Sequence, residues 1–228
     1  MIKVLVGTPI NEYKLYSWDA YLEGVKNIEF ENKETMIIDT GEERTFLSKA
    51  VNECYVYRTI PYEERALDRL NKARNKIIDY AIKHKYDYIL FVDADVVAPP
   101  NVIKQLLSHK KKFVSGLYVG YQKCDPKSIN AMARIYKDNE FQVLPKDYYD
   151  GRTHKVDITG IGCLLIHKDL FDIKFRCERN KKGKILKWED LCYCQDIIQK
   201  HNIDLLLDTS VNCKHLLKGN HWEQYEAI

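Results

Sequence analysis

Short apolar runs bounded by polar or turn-forming residues alternate with longer amphipathic stretches over the first half of the chain. The runs at 2–6, 35–38 (ending on Asp39), 55–57, Tyr88–Val92 and Phe113–Leu117 have the length and character of strands. Between them, 13–25, 42–52 and 62–84 carry helical spacing. A further helix starts at Pro99-Pro100 and runs to about Ser108, since proline suits the first helical turn. This alternation predicts βαβ units around a sheet. Tyr88–Val92 is apolar or aromatic throughout, as expected of a strand covered on both faces. The second half is less regular. Segments 131–136 and 141–144 have the pattern of a hairpin, and 156–159 and 162–166 of strands. The stretch 171–187 is polar, charged and without a clean period, which predicts a mobile loop. A helix at 190–200 and short strands at 205–207 and 211–213 follow.

With 228 residues and 45% hydrophobic content, the chain can bury one substantial α/β core over 1–228, and no linker separates its halves. No apolar run approaches the ~18 residues needed to span a bilayer. The N-terminus reads directly as a first strand rather than a secretory signal, which predicts a cytoplasmic protein. A net charge of +3 argues against a general polyanion or nucleic-acid binder. Local basic runs at 109–112 and 179–184 read as a solvated helix end and a loop, or as a surface for anionic lipid or an acidic acceptor at the membrane periphery. Seven cysteines is an odd count, and in a cytosolic setting they are expected as reduced thiols. Cys192-Tyr193-Cys194, with Cys213 and His215, offers a zinc set on paper. The spacing departs from the usual C-x₂₋₄-C, so small buried apolar residues are the better account.

The chemistry concentrates after the buried strand. Asp93-Ala94-Asp95 follows Tyr88–Val92 directly, at the strand's C-terminal end, where open α/β sheets bind ligands. Residues two apart in an extended segment point to the same side. Two carboxylates so placed repel unless a cation lies near them. Oxygen ligands suit Mg²⁺ or Mn²⁺, which take one or two carboxylates plus substrate phosphates. The plain alternative is a loop with two solvated acids. In the preceding helix, Leu67, Leu70, Ile77, Ile78 and Ala81 form one face, and Arg74 falls within it. A buried arginine needs a partner, and Asp93 or a phosphate fits; otherwise Arg74 snorkels to solvent. Trp188-Glu189-Asp190 opens a helix, where acids serve as caps and dipole partners as readily as catalysts. His215 ends the last strand-like run.

Together these pieces resemble the nucleotide-diphospho-sugar transferases of the GT-A fold, in particular family 2-like glycosyltransferases. The resemblance rests on Ala73-Arg74-Asn75, the buried strand and Asp93-Ala94-Asp95; on Gly160-Ile161-Gly162 leading a buried strand; and on Glu189-Asp190 with a late His215. It covers about residues 1–216. It implies a three-layer α/β/α fold with a mixed, mostly parallel sheet, in which 1–117 is the nucleotide-binding half and 118–228 the acceptor-side half. It implies a metal-dependent glycosyltransferase moving a sugar from a nucleotide-diphosphate sugar to a hydroxyl on a glycan, lipid or protein. Thr8 and Pro9 then correspond to the loop against the nucleotide base, and Asp39 to the acid that reads it. Arg74 contacts the donor or braces the acids, and Asp93 approaches the ribose. Asp95 ligates Mn²⁺ or Mg²⁺ bridging the diphosphate, and His215 completes the metal shell. Asp190 is the catalytic base and Glu189 binds acceptor. The second strand ends Asp39-Thr40-Gly41-Glu42 rather than in the family's commoner acid-rich, serine-containing turn, which leaves the base open. Retaining and inverting stereochemistry both fit.

Two other readings compete. A sugar-phosphate nucleotidyltransferase would share the sheet and the carboxylates, but it typically carries a glycine-rich basic loop after the first strand. Gly7-Thr8-Pro9-Ile10-Asn11-Glu12 has one glycine and no arginine. A catalytically inactive nucleotide-sugar-binding relative would keep the sheet and lose turnover.

Overall fold

The computed structural model describes residues 1–41, 46, 50, 56–60, 65–122 and 125–216. The apolar run Tyr88–Val92 is a strand inside an eight-stranded sheet of the described residues. In chain order the sheet takes β1 (Val4–Ile10), β2 (Lys33–Asp39), β3 (Val56–Thr59), β4 (Tyr88–Val92), β5 (Phe113–Leu117), β6 (Thr153–Val156), β7 (Cys163–His167) and β8 (Leu205–Asn212). Across the sheet they run β6-β8-β5-β7-β4-β1-β2-β3. β3, β2, β1 and β4 are mutually parallel, and β8 is parallel to β5. β7 is antiparallel to both its neighbours, and β6 is an antiparallel edge. The sheet is therefore mixed and mostly parallel.

Alternation along each strand feeds two cores. Leu5, Ile89, Phe91, Leu164 and Ile166 face one side, where helices α2 (Ala66–Lys83) and α4 (Glu189–His201) add Ala73, Ile77, Ile78, Tyr193 and Ile197. Val4, Val6, Leu90, Val92 and Leu165 face the other, covered by Trp18, Tyr21 and Val25 of α1 (Trp18–Asn27) and by Val102, Ile103 and Leu106 of α3 (Val102–Ser108). Period 2 in the strands against period 3.6 in the helices thus yields the α/β/α layering expected.

Several boundaries differ from the sequence expectation. β1 runs on through Thr8 and Pro9, which the sequence assigned to a loop. Proline is tolerated there because β1 pairs with β4 only as far as Gly7. The Ile10 carbonyl accepts the Thr40 N–H on the β2 side, so Pro9, one residue earlier, presents its missing N–H away from β2. The helix expected over 13–25 is a 3₁₀ turn, Glu12–Ser17, followed by α1. Asn11 caps that turn by accepting the Tyr13 N–H at 3.0 Å, a local competition typical of asparagine. The helix expected over 42–52 lies, apart from the fully buried Phe46 and Ala50, outside the described residues. The runs 205–207 and 211–213 are one strand, β8, with an irregularity between Asp208 and Asn212. The hairpin Ala133–Lys137/Glu140–Val143 is present and turns on Asp138 and Asn139, both at positive φ. Strands Val119–Gln122 and Asp125–Ala131 were not expected.

The stretch 171–187 is docked rather than loose. Phe171, Ile173 and Phe175 are buried at every second position, a strand-like period hidden between charges. Phe175 stacks on Tyr193 with centroids 3.9 Å apart, and Asn75 exchanges two hydrogen bonds with its backbone. The small ladder Glu178–Arg179/Ile185–Lys187 follows. The basic runs are partly spent on acids: His109 contacts Asp208, and Lys112 and Arg179 form ion pairs with Asp169 and Asp68. Cys163, Cys192, Cys194 and Cys213 are buried free thiols, and Cys177 is half-buried. Burial pushes the Cys194 thiol up to about 12 despite a backbone hydrogen bond, in keeping with an apolar role.

Candidate active site

Most of the chemically expected residues meet beyond the C-terminal end of β4. Asp93 is the first residue past the strand, and its N–H donates to the Gly162 carbonyl at 3.1 Å. The acid is thereby held against the residue that precedes β7. Arg74 reaches it from α2. One guanidinium nitrogen, Nη2, donates to Asp93 Oδ1 at 3.1 Å, and Nη1 donates to Glu189 Oε1 at 3.2 Å. Arg74 is 3% exposed and also lies over the Phe175 ring. It is the buried arginine the helical projection called for, with one further partner, Glu189, from the first turn of α4. Burial alone would lower the Arg74 pKa, but Asp93 and Glu189 outweigh it and the net direction is upward. Glu189 moves the other way from most paired acids. Its burial raises the pKa more than Arg74 lowers it, with Asp190 adding repulsion.

Asp95 lies on the second branch of the site. Its carboxylate is ion-paired with Lys14 from the Glu12–Ser17 turn, and Tyr16 donates to Oδ2 at 3.4 Å. His215 Nε2 approaches the same oxygen at 3.3 Å. Burial would raise the Asp95 pKa, yet His215 and Lys14 together hold it at about 2. The repulsion between the two acids, which on sequence grounds called for a cation, is met here by two side-chain cations: Arg74 on Asp93 and Lys14 on Asp95. Among the described residues, no group of three or more His, Cys, Asp and Glu side chains is arranged to hold a metal ion. The zinc set drawn on paper from Cys192, Cys194, Cys213 and His215 is therefore not assembled.

Tyr118, which the sequence reading did not single out, joins the two branches. It is 5% exposed and packs edge-on to His215 with centroids 5.4 Å apart. Its hydroxyl accepts the Gly162 N–H at 3.0 Å. Burial pushes its pKa well above the ordinary tyrosine value, with Asp93 and Asp190 adding to the rise against Gly162 and Arg74. The phenol fits because Gly160 and Gly162 lack side chains. A Cβ on Gly160 would lie 2.0 Å from the Tyr118 hydroxyl, and one on Gly162 would lie 2.8 Å from its Cζ. The glycines of Gly160-Ile161-Gly162 were the available signal for Tyr118; their purpose is legible only once the ring is seen. Lys14 left no signal, since it reaches Asp95 across 81 residues of chain.

Two expected contacts look different in the structure. Thr8 is wholly buried; its hydroxyl donates to the Val92 carbonyl and accepts from Tyr21, both at 2.7 Å. It braces β1 to the end of β4, with both hydroxyl contacts inside the protein. Asp39 is 1% exposed; Oδ1 accepts the Gly41 N–H and Oδ2 accepts the Tyr57 hydroxyl. Asp190 is half-buried, and its Oδ1 accepts the Leu191 N–H at 2.7 Å. Trp188, not Asp190, is the N-cap of α4, and it makes no side-chain cap bond.

The model of a known family, described as glycosyl transferase family 2, matches residues 19–172. The chain belongs to glycosyl transferase family 2. Family 2 membership covers β2 through β7, and so includes Arg74, Asp93, Asp95, Tyr118 and the two glycines. No curated protein matches the chain. Among solved structures, "Crystal Structure of A197 from STIV" is similar in fold, with a TM-score of 0.50 and 14% identity. That match covers 95% of this chain and 87% of the other. Family 2 membership supports a role in glycosyl transfer, and the mixed eight-stranded sheet with its helices is the α/β arrangement of the GT-A fold.

Two consequences of this geometry are open to direct measurement. Arg74→Ala leaves Asp93 and the largely buried Glu189 without their partner and should destabilise the protein by about 3 kcal/mol. In a chain of this size that lowers Tm by roughly 6–12 °C. Arg74→Lys should recover only part of it, because an ammonium cannot serve both acids with a planar fork. Calorimetric melting of the three proteins decides the matter, and wild-type stability in the lysine protein would refute the two-acid clamp. Separately, Gly160→Ala should cost about 1–3 kcal/mol by overpacking against Tyr118. Adding Tyr118→Phe removes the nearest clashing atom and should return part of that stability. A double variant no more stable than Gly160→Ala would show that the phenol is not what the glycine accommodates.

Proposed function

We propose that this family 2 protein is a metal-dependent glycosyltransferase that moves a sugar from a nucleotide-diphosphate sugar to an acceptor hydroxyl. The observation that carries the metal dependence is the contact between His215 and Asp95. His215 Nδ1 lies 2.7 Å from the Val119 carbonyl, which can only accept, so Nδ1 bears the proton. Nε2 faces Asp95 Oδ2 at 3.3 Å: protonated, it donates to the carboxylate and holds its pKa down; deprotonated, it turns a lone pair to the same point. Lys14 already supplies a cation at that oxygen, and a divalent ion could stand in its place. A carbonyl-anchored imidazole beside a carboxylate is a donor set that suits Mn²⁺ or Mg²⁺. A divalent cation held by Asp95 and His215 would neutralise charge developing on the leaving nucleoside diphosphate.

The remaining steps belong to the chain's own groups. Arg74 holds Asp93 and Glu189 in fixed relation, so that Asp93 faces the donor ribose and Glu189 the acceptor. Asp190, in the first turn of α4, removes the acceptor hydroxyl's proton as that oxygen attacks the anomeric carbon. Thr8 and Pro9 form the wall against the base through the rigid end of β1. Asp39 reads the base with the lone pairs that Tyr57 and Gly41 leave unused; an ionised carboxylate has about four acceptor positions. The halves 1–117 and 118–228 act as one catalytic unit, since β6 to β8 of the second half complete the sheet that carries the donor edge. No helix among the described residues is long and apolar enough to cross a membrane. A cytoplasmic setting, with unpaired parts of the basic runs turned to an acidic or lipid-linked acceptor, belongs to the same reading.

The test is a panel of UDP-, GDP-, CDP- and dTDP-sugars incubated with Mn²⁺, with release of nucleoside diphosphate followed by chromatography. Release from at least one donor is expected. Pyrophosphate release from a nucleoside triphosphate and a sugar phosphate would replace this reading with nucleotidyl transfer. Binding of a donor without any release would leave an inactive relative.

A further inference from the structure

The cation already beside Asp95 has a consequence for how metal and donor bind. Lys14, Tyr16 and His215 all address one carboxylate oxygen, Oδ2. A divalent ion bound at that oxygen would stand against the Lys14 ammonium, and like charges in contact are strongly disfavoured. The two cations therefore compete for one place. They are not equally fixed. The Asp95 side chain is 7% exposed, whereas that of Lys14 is 35% exposed and comes from a solvent-facing turn. A lysine carries its charge on a flexible four-carbon stem, unlike the forked arginine. Arg74, by contrast, is locked between Asp93 and Glu189.

We infer that Lys14 is a built-in counter-cation of Asp95, which a divalent metal displaces and which then turns to the diphosphate of the donor. The inference rests on the metal-dependent reading above and deepens it. Free metal has to evict Lys14 and leave an ammonium with no partner, so metal alone binds weakly. Metal arriving with a diphosphate gives the evicted ammonium a new anion to pair with, so the two ligands favour each other's binding. Lys14 is in this way a positioning and specificity residue for metal–diphosphate complexes over the bare ion.

The test reads Mn²⁺ binding by the loss of the free-ion electron paramagnetic resonance signal, with no turnover involved. Without nucleotide, Lys14→Met should bind Mn²⁺ about 10- to 100-fold more tightly than wild type, the worth of one charge-assisted hydrogen bond. With saturating UDP, GDP, CDP or dTDP, whichever binds, Lys14→Met should bind Mn²⁺ no better than wild type, because the ammonium's contribution to the diphosphate is lost. Lys14→Arg keeps a competing charge and should stay close to wild type without nucleotide. Lys14 lies in an exposed turn, and a melting curve establishes that each variant is folded. Equal Mn²⁺ affinity of wild type and Lys14→Met without nucleotide overturns this inference while leaving the metal reading in place. Lys14→Arg behaving as Lys14→Met also overturns it. Absence of Mn²⁺ binding in every protein, with and without nucleotide, overturns the metal reading and this inference with it.

Discussion

Asp190→Asn is expected to lower kcat by about 10²–10⁴-fold while changing donor affinity little, the signature of a lost general base. The substitution is informative because a purely structural role predicts the opposite. Asp190 is in the first turn of α4, where a carboxylate interacts favourably with the helix dipole and accepts the Leu191 N–H. Asparagine retains an oxygen in the same position and serves helix N-termini as well as aspartate does. Loss of charge there costs only about 0.3–1 kcal/mol. Folding is therefore preserved under either account, and only the ability to take a proton is removed. Near-normal turnover in Asp190→Asn would leave a helix-terminus residue and nothing more. The anomeric configuration of the product, read by NMR in the same experiment, separates inverting from retaining transfer. In a retaining enzyme the role of the base would differ.

The α/β/α architecture was legible because β4 and the face of α2 obey simple periods. An unbroken apolar strand requires cover on both sides, and the observed helices on the two faces supply it. Arg74 was legible for the same reason: a charge inside an apolar stripe has to meet another charge, and Asp93 was the nearest available. What the pattern could not supply was the second partner. Glu189 is 115 residues away from Arg74, and nothing local to either residue encodes their meeting. The pairing of Lys14 with Asp95 was invisible for the same reason. It was obscured further because 13–25 has a helical pattern while Asn11 diverts its first part into a 3₁₀ turn. Local side-chain hydrogen bonding won over periodicity there.

The segment 171–187 was misread on composition. Its lysines and arginines outnumber its apolar residues, but Phe171, Ile173 and Phe175 alternate, and that alternation buries all three in the core, Phe175 directly against Phe91 and Tyr193. Tyr118 shows the limit of motif reading. Gly160 and Gly162 could be recognised as a motif, yet the ring they admit lies more than forty residues earlier in the chain, with a separation of 44 between Tyr118 and Gly162. In Asp39 and Thr8 the residue types were right for polar work. The structure turns their nearest contacts inward, to Tyr57, Gly41, Tyr21 and Val92.

The central claim is that Asp95 anchors a divalent cation that joins the protein to a nucleoside diphosphate. Asp95→Asn keeps the size of the side chain and an oxygen acceptor but removes the anionic ligand, and an amide is a poor substitute for a carboxylate at a hard cation. Its fold should survive, since the amide has the same shape in that buried place and keeps an oxygen to accept from Lys14 and Tyr16. The decisive measurement is titration calorimetry of UDP, GDP, CDP and dTDP into wild type and Asp95→Asn, each with and without Mn²⁺. Wild type should bind one of these nucleotides in a manner that depends on Mn²⁺, and Asp95→Asn should lose that dependence altogether while melting as a folded protein. Unchanged Mn²⁺-dependent affinity in Asp95→Asn would contradict the account.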